Sequence, residues 1–129
     1  MISAPTRDAV RRRARDCREY CRLPQAVEAD VRFHIEHIVA HQHGGADDEG
    51  NLALACHRCN RHKGPNLSGI DPVTALPMLL FHPRRDEWKD HFRIERFEVV
   101  GLTPTGRATI SLLQMNAPVR VELRRWIFA

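Results

Sequence analysis

The chain has 129 residues, 43% of them hydrophobic and 28% charged, the balance of an ordinary soluble globular protein. That length suits one compact domain, or a small motif with an extension. No run approaches the roughly 18 apolar residues of a membrane span, and the opening MISAPTRDAVRRRARD lacks the apolar stretch of a secretory leader; the expected setting is soluble and cytoplasmic, with no membrane partner.

The net charge is +4 and the isoelectric point about 9.2. Of 20 basic residues only Lys63 and Lys89 are lysines, which leaves 18 arginines. The arginine fork matches phosphate oxygens. The cluster Arg11, Arg12, Arg13, Arg15, Arg18 and Arg22 reads either as the footprint of an anionic partner or as a solvated helix face in a chain whose codons favour arginine.

In chain order, Thr6 is placed to cap a helix that starts near Arg7 and runs towards Tyr20, with Leu23-Pro24 as its break. Residues 31–37, VRFHIEH, alternate with Val31, Phe33 and Ile35 on one face and Arg32, His34 and Glu36 on the other, which predicts a strand. HGGADDEGN reads as a loop. Leu52 to Leu54 form a second strand or an extended segment, and a short helix follows from His57 to Lys63, stopped by Gly64-Pro65. Beyond Asn66 come turns, an apolar run and a short helical stretch up to WKDHF. RIERFEVV and GRATISLLQ are expected to pair as a hairpin around LTPTG, and Asn116 to cap a last helix with Val119, Leu123 and Ile127 on its inner side. The fold class is therefore α+β.

Four cysteines occur as close pairs, Cys17/Cys21 (C-x3-C) and Cys56/Cys59 (C-x2-C). In a cytosolic chain such pairs suggest a metal more than disulfides, and both spacings suit zinc. Four buried free thiols are the other reading.

CREYC, EHI, HGG, NLAL, CHRCN and RHKG stand in an order and spacing that resembles the HNH endonuclease family, over about residues 17–66. LFHPR, WKDHF and GRATI are similar to small stand-alone bacterial HNH proteins but carry no assignable role. The resemblance implies a ββα-metal (His-Me finger) core with a structural zinc over residues 1–66, and a C-terminal β-hairpin and helix extension over 67–129 packed into one compact whole. It implies that His37 is the general base that deprotonates water, that Glu36 and Asn60 hold one divalent cation, magnesium or manganese by the oxygen chemistry of the ligands, and that Asn51 ties down the loop and orients His37. Glu36 departs from the commoner aspartate. Cys17, Cys21, Cys56 and Cys59 would close a thiolate cage around zinc, with the C-x3-C spacing departing from the family's C-x2-C and His57 an alternative ligand. Arg58, Arg61 and Lys63 would clamp the backbone of double-stranded DNA.

Each assignment has a plainer counterpart. His37 shares a face with Phe33 and Ile35 and could be a packed core histidine; His34 reads as a packed or partly exposed strand residue; His41 and His43 either touch phosphate or brace the turn. Because neighbours on a regular strand point to opposite faces, Glu36 and His37 converge only if the strand ends or distorts at 36–38. The resulting expectation is a metal-dependent DNA endonuclease. The alternatives are a catalytically inactive, zinc-stabilised nucleic-acid-binding module and a purely structural zinc protein.

Overall fold

A computed structural model describes residues 2–15, 17–22 and 33–128. The expected strand start at Val31-Arg32 and the helix break at Leu23-Pro24 lie outside the described residues. The chain divides into two compact units, residues 1–65 and 66–129. Small antiparallel two-stranded sheets and helices make up both, an α+β architecture.

Unit 1 begins with α1 (Ala4–Ala14). Its cap is Ser3 rather than Thr6: the Ser3 hydroxyl accepts from the Thr6 N–H, and Pro5 occupies the first turn, where a missing N–H costs nothing. The helix stops at Ala14, well short of Tyr20, because Arg15 turns into the left-handed region at φ 54°. Strand β1 (His34–His37) pairs with β2 (Leu52–Ala55) in the register His34–Ala55 to His37–Leu52. All four residues of β2 are buried, under α1. Helix α2 (His57–Lys63) has the expected limits, and its C-terminus is closed by Gly64 at φ 50°.

The arginines of α1 are partly consumed in holding this unit together. Arg11 donates to the Phe33 carbonyl, and Arg13 to the carbonyls of Glu49 and Leu52. Arg18, beyond the helix, is buried with its guanidinium 4.4 Å above the Phe33 ring. Three members of the basic cluster thus work inward, Arg11 and Arg13 by satisfying carbonyls and Arg18 by packing on an aromatic ring.

In unit 2, β3 (Ser68–Ile70) pairs with β4 (Pro77–Leu79), α3 (Trp88–His91) is a single turn, and β5 (Phe92–Glu95) pairs with β6 (Glu98–Gly101). The hairpin is therefore tighter than expected, turning at Arg96 and Phe97, both at positive φ. The segment expected as its second strand is helix α4 (Pro104–Leu113): Thr103 caps it through the Gly106 N–H, with Pro104 at the first position. Helix α5 (Pro118–Phe128) is not capped by Asn116, whose amide pairs with both backbone groups of Val99. Nor is its inner face the apolar one, since Val119 is exposed and Arg120 and Arg124 are buried. The Arg124 guanidinium donates to the carbonyls of Met115 and Phe97, which lets a charged side chain replace aliphatic packing. Among the described residues no helix is long and apolar enough to cross a membrane.

Candidate metal and nuclease site

Strand β1 pairs regularly through Glu36 and His37 and then ends; the chain bends at Ile38 and Val39, with the Ile38 N–H still bound to the Asn51 carbonyl. That ending lets two neighbours serve one place. Glu36, His37, His41 and Asn60 all line a recess of about 280 Å³, completed by Ala40, Gly64 and Pro65. Helix α2 contributes Asn60 and β1 the other two expected side chains.

Glu36 is the buried member of β1, at 4% exposure, where alternation had put Phe33, Ile35 and His37 inside. Its carboxylate accepts a hydrogen bond from the Tyr20 hydroxyl and lies 3.5 Å from the Lys63 ammonium. Burial pushes its carboxyl up, while Lys63 and Tyr20 pull it back. Lys63, expected as a phosphate clamp, is turned inward: it is 2% exposed, and its Nζ also donates to the Ile38 carbonyl at 2.9 Å. A lysine on the last turn of a helix beside a buried carboxylate neutralises that carboxylate better than it contacts solvent.

His37 is half-buried. Its Nε2 lies 2.7 Å from Oδ1 of Asp47, and Nε2 of His41 lies 2.6 Å from the same oxygen. Hydrogen bonds from His37 first, then from His41, hold the Asp47 carboxyl well below the usual carboxylate range. An ionised carboxylate only accepts, so each Nε2 facing it is a donor, and in a neutral ring so oriented the acceptor is Nδ1. A carboxylate so placed orients the imidazole rings that face it.

Asn51 fastens the loop that carries these groups. Its amide oxygen accepts from the Val39 N–H, and its amide nitrogen donates to the carbonyls of Val39 and Ala46, each at 2.9 Å. The chain is so close here that a Cβ on Gly45 would lie 1.7 Å from the Val39 oxygen, so that position admits only glycine.

The thiols of Cys21, Cys56 and Cys59 are buried, with all three sulfurs within 4.8 Å of one another. Cys17 stands outside this group and is half-buried. Cys56 caps α2, accepting from the Cys59 N–H, and an Arg18 nitrogen lies 3.9 Å from the Cys21 sulfur. Burial pushes the Cys21 thiol up, and hydrogen bonding to Cys21 and Cys56 does the same for Cys59. Three soft donors in a dry, converging set are the chemistry of a zinc ligand group. His57 is not part of the group; its Nδ1 is buried without a hydrogen-bond partner. Arg58 is half-buried and Arg61 exposed on α2.

Sequence reasoning missed Asp47, Tyr20 and Lys63 as partners of the site. A signal for Asp47 was present in the acid two residues after the glycine pair; Tyr20 offered none.

Residues 17–66, less than half of the chain, match the family model of the HNH endonucleases, so this segment is an HNH domain. Such a domain indicates a nuclease-type, nucleic-acid-related function. No curated protein and no solved structure matches the chain.

Proposed function

We propose that unit 1 is a metal-dependent HNH endonuclease that hydrolyses phosphodiester bonds of double-stranded DNA, on a ββα-metal core formed by β1, β2 and α2. The observation that carries this reading is the shared recess of Glu36, His37 and Asn60 inside the segment that matches the family. Two oxygen donors beside an imidazole fit a hard cation, magnesium or manganese. When bound, that cation supplies Lewis-acid polarisation of the scissile phosphate and offsets charge on the leaving oxygen.

The chain's own residues divide the remaining work. Nδ1 of His37 takes the proton of the attacking water. Asp47 holds the ring in the required tautomer and steadies the imidazolium that results. Asn51 keeps the loop, and with it the base, in place. Glu36 and Asn60 present the oxygens for the cation, and the Lys63 ammonium offsets part of the burial of the Glu36 carboxyl. Cys21, Cys56 and Cys59 hold a structural zinc, with Cys17 or water as the fourth ligand. Arg58 and Arg61 contact the DNA backbone, giving affinity that falls with salt.

Incubation of supercoiled plasmid with magnesium or manganese tests the reading: nicked or linear product that disappears in Glu36→Gln and Asn60→Ala supports it. Salt-sensitive DNA binding without cleavage by any divalent cation would replace it with a zinc-stabilised binding module.

A further inference from the structure

The loop after β1 brings together a second donor set. Nε2 of His37, Nε2 of His41 and Oδ1 of Asp47 all lie within 4.8 Å of one another, and the two imidazoles face each other with centroids 4.3 Å apart and planes at 59°. The three side chains differ in exposure, 24% for His37, 34% for Asp47 and 63% for His41, so the set opens to solvent on one side. Two imidazoles and a carboxylate with open positions suit a borderline transition metal such as Zn²⁺, Co²⁺ or Ni²⁺, and suit magnesium poorly. Bonds of about 2.1 Å to nitrogen and oxygen would place the donors roughly 3–3.4 Å apart. The present N–O separations of 2.6 and 2.7 Å therefore have to open by a few tenths of an ångström. His41 sits on an exposed single turn of 3-10 helix and can move that far.

We propose that His37, His41 and Asp47 form an inhibitory site for a first-row transition-metal ion, distinct from the cysteine group and from the Glu36–Asn60 oxygen donors. In each neutral imidazole the ion replaces the Nε2 proton, and that proton is taken up at Nδ1, so the metal-bound ring stays neutral. For His37 the consequence is specific. Metal on Nε2 puts the remaining ring proton on Nδ1, so the atom that would accept a proton from water has become a donor. Metal binding itself does not depend on the nuclease reading; the inhibition rests on it.

The test uses the full chain with its cysteine group already loaded with zinc, and Co²⁺ as the probe. Wild type is expected to bind about one further equivalent, with a nitrogen- and oxygen-type cobalt spectrum free of thiolate charge transfer. His41→Asn and Asp47→Asn should each lose that equivalent while keeping zinc in the cysteine group, which shows that the fold is intact. In plasmid cleavage with magnesium, added Zn²⁺ should slow the wild type about a hundredfold, the scale of losing a general base, and should spare His41→Asn. Cobalt taken up only at the cysteines, or a further equivalent unaffected by both variants, overturns the site. Cobalt binding that needs His41 and Asp47 in a protein that cleaves no DNA upholds the site and removes the nuclease reading instead. Cleavage that zinc slows equally in wild type and His41→Asn overturns the inhibition.

Discussion

His37 and Asp47 are joined by a 2.7 Å contact across ten residues of sequence, from the last position of a strand to a loop beyond a glycine pair. The pairing turns Nε2 of His37 towards a carboxylate and leaves Nδ1 as the ring nitrogen not engaged by it. Asp47→Asn keeps the size and loses the charge. It is expected to lower kcat about 10- to 100-fold with little change in KM, since a partner that orients a ligand or base has effects of that order. Asp47→Glu should recover part of the loss. A change confined to KM would place Asp47 in binding rather than in steadying the base.

Asn51 is expected to matter for stability as well as activity. Asn51→Ala removes three hydrogen bonds around Val39 and Ala46 and should cost about 2–3 kcal/mol in denaturant unfolding of unit 1. Stability within about 0.5 kcal/mol of wild type would mean that the loop is held by other contacts.

The three convergent thiols set an order among the cysteine variants. Cys56→Ser should lose about one equivalent of zinc and the cooperative unfolding of unit 1, as expected for a core stapled by a metal. Cys17→Ser, outside the group, should retain more metal and more stability. Equal losses in the two variants would place Cys17 in the ligand set on the same footing as the others.

Much of this site could be read in the sequence, for a definable reason. The limits of α2 and the extended segments around 34–37 and 52–55 depend on local signals, a glycine-proline stop and period-two alternation, while the grouping of Glu36, His37 and Asn60 is what the HNH resemblance implies. What could not be read depended on distant packing. Alternation put Phe33 and Ile35 on one face and Glu36 on the other, and gave no sign that Glu36 is buried, because its partners, the Tyr20 hydroxyl and the Lys63 ammonium, come from far away in the chain. The N-terminal basic cluster reads as a partner's footprint or a solvated helix face, whereas Arg11, Arg13 and Arg18 bind carbonyls or face inward, and the buried Arg120 and Arg124 carry no signal in the sequence. In GRATISLLQ, β-branched residues suggested a strand, but the cap at Thr103 and Pro104 decided for a helix.

Unit 2 offers a pH-dependent prediction. The Arg107 guanidinium holds the buried Asp71 carboxyl well below the usual carboxylate range through two hydrogen bonds, with help from Val73 N–H and the Thr74 hydroxyl. A depressed folded-state value stabilises above the ordinary carboxylate range, and that stabilisation is lost as the pH falls through it towards the folded value. The thermal stability of unit 2 should therefore fall with acid, and Asp71→Asn should lower the melting temperature at neutral pH by several degrees while flattening the acid limb. An acid limb unchanged in the variant would assign the effect to other carboxylates.

The central claim is that Nδ1 of His37 removes a proton from water, and single-turnover cleavage of a plasmid in saturating magnesium measures it most directly. His37→Ala is expected to cut at least about a hundredfold more slowly than wild type, with DNA affinity and zinc content unchanged. Equal rates for the two proteins under those conditions would contradict it.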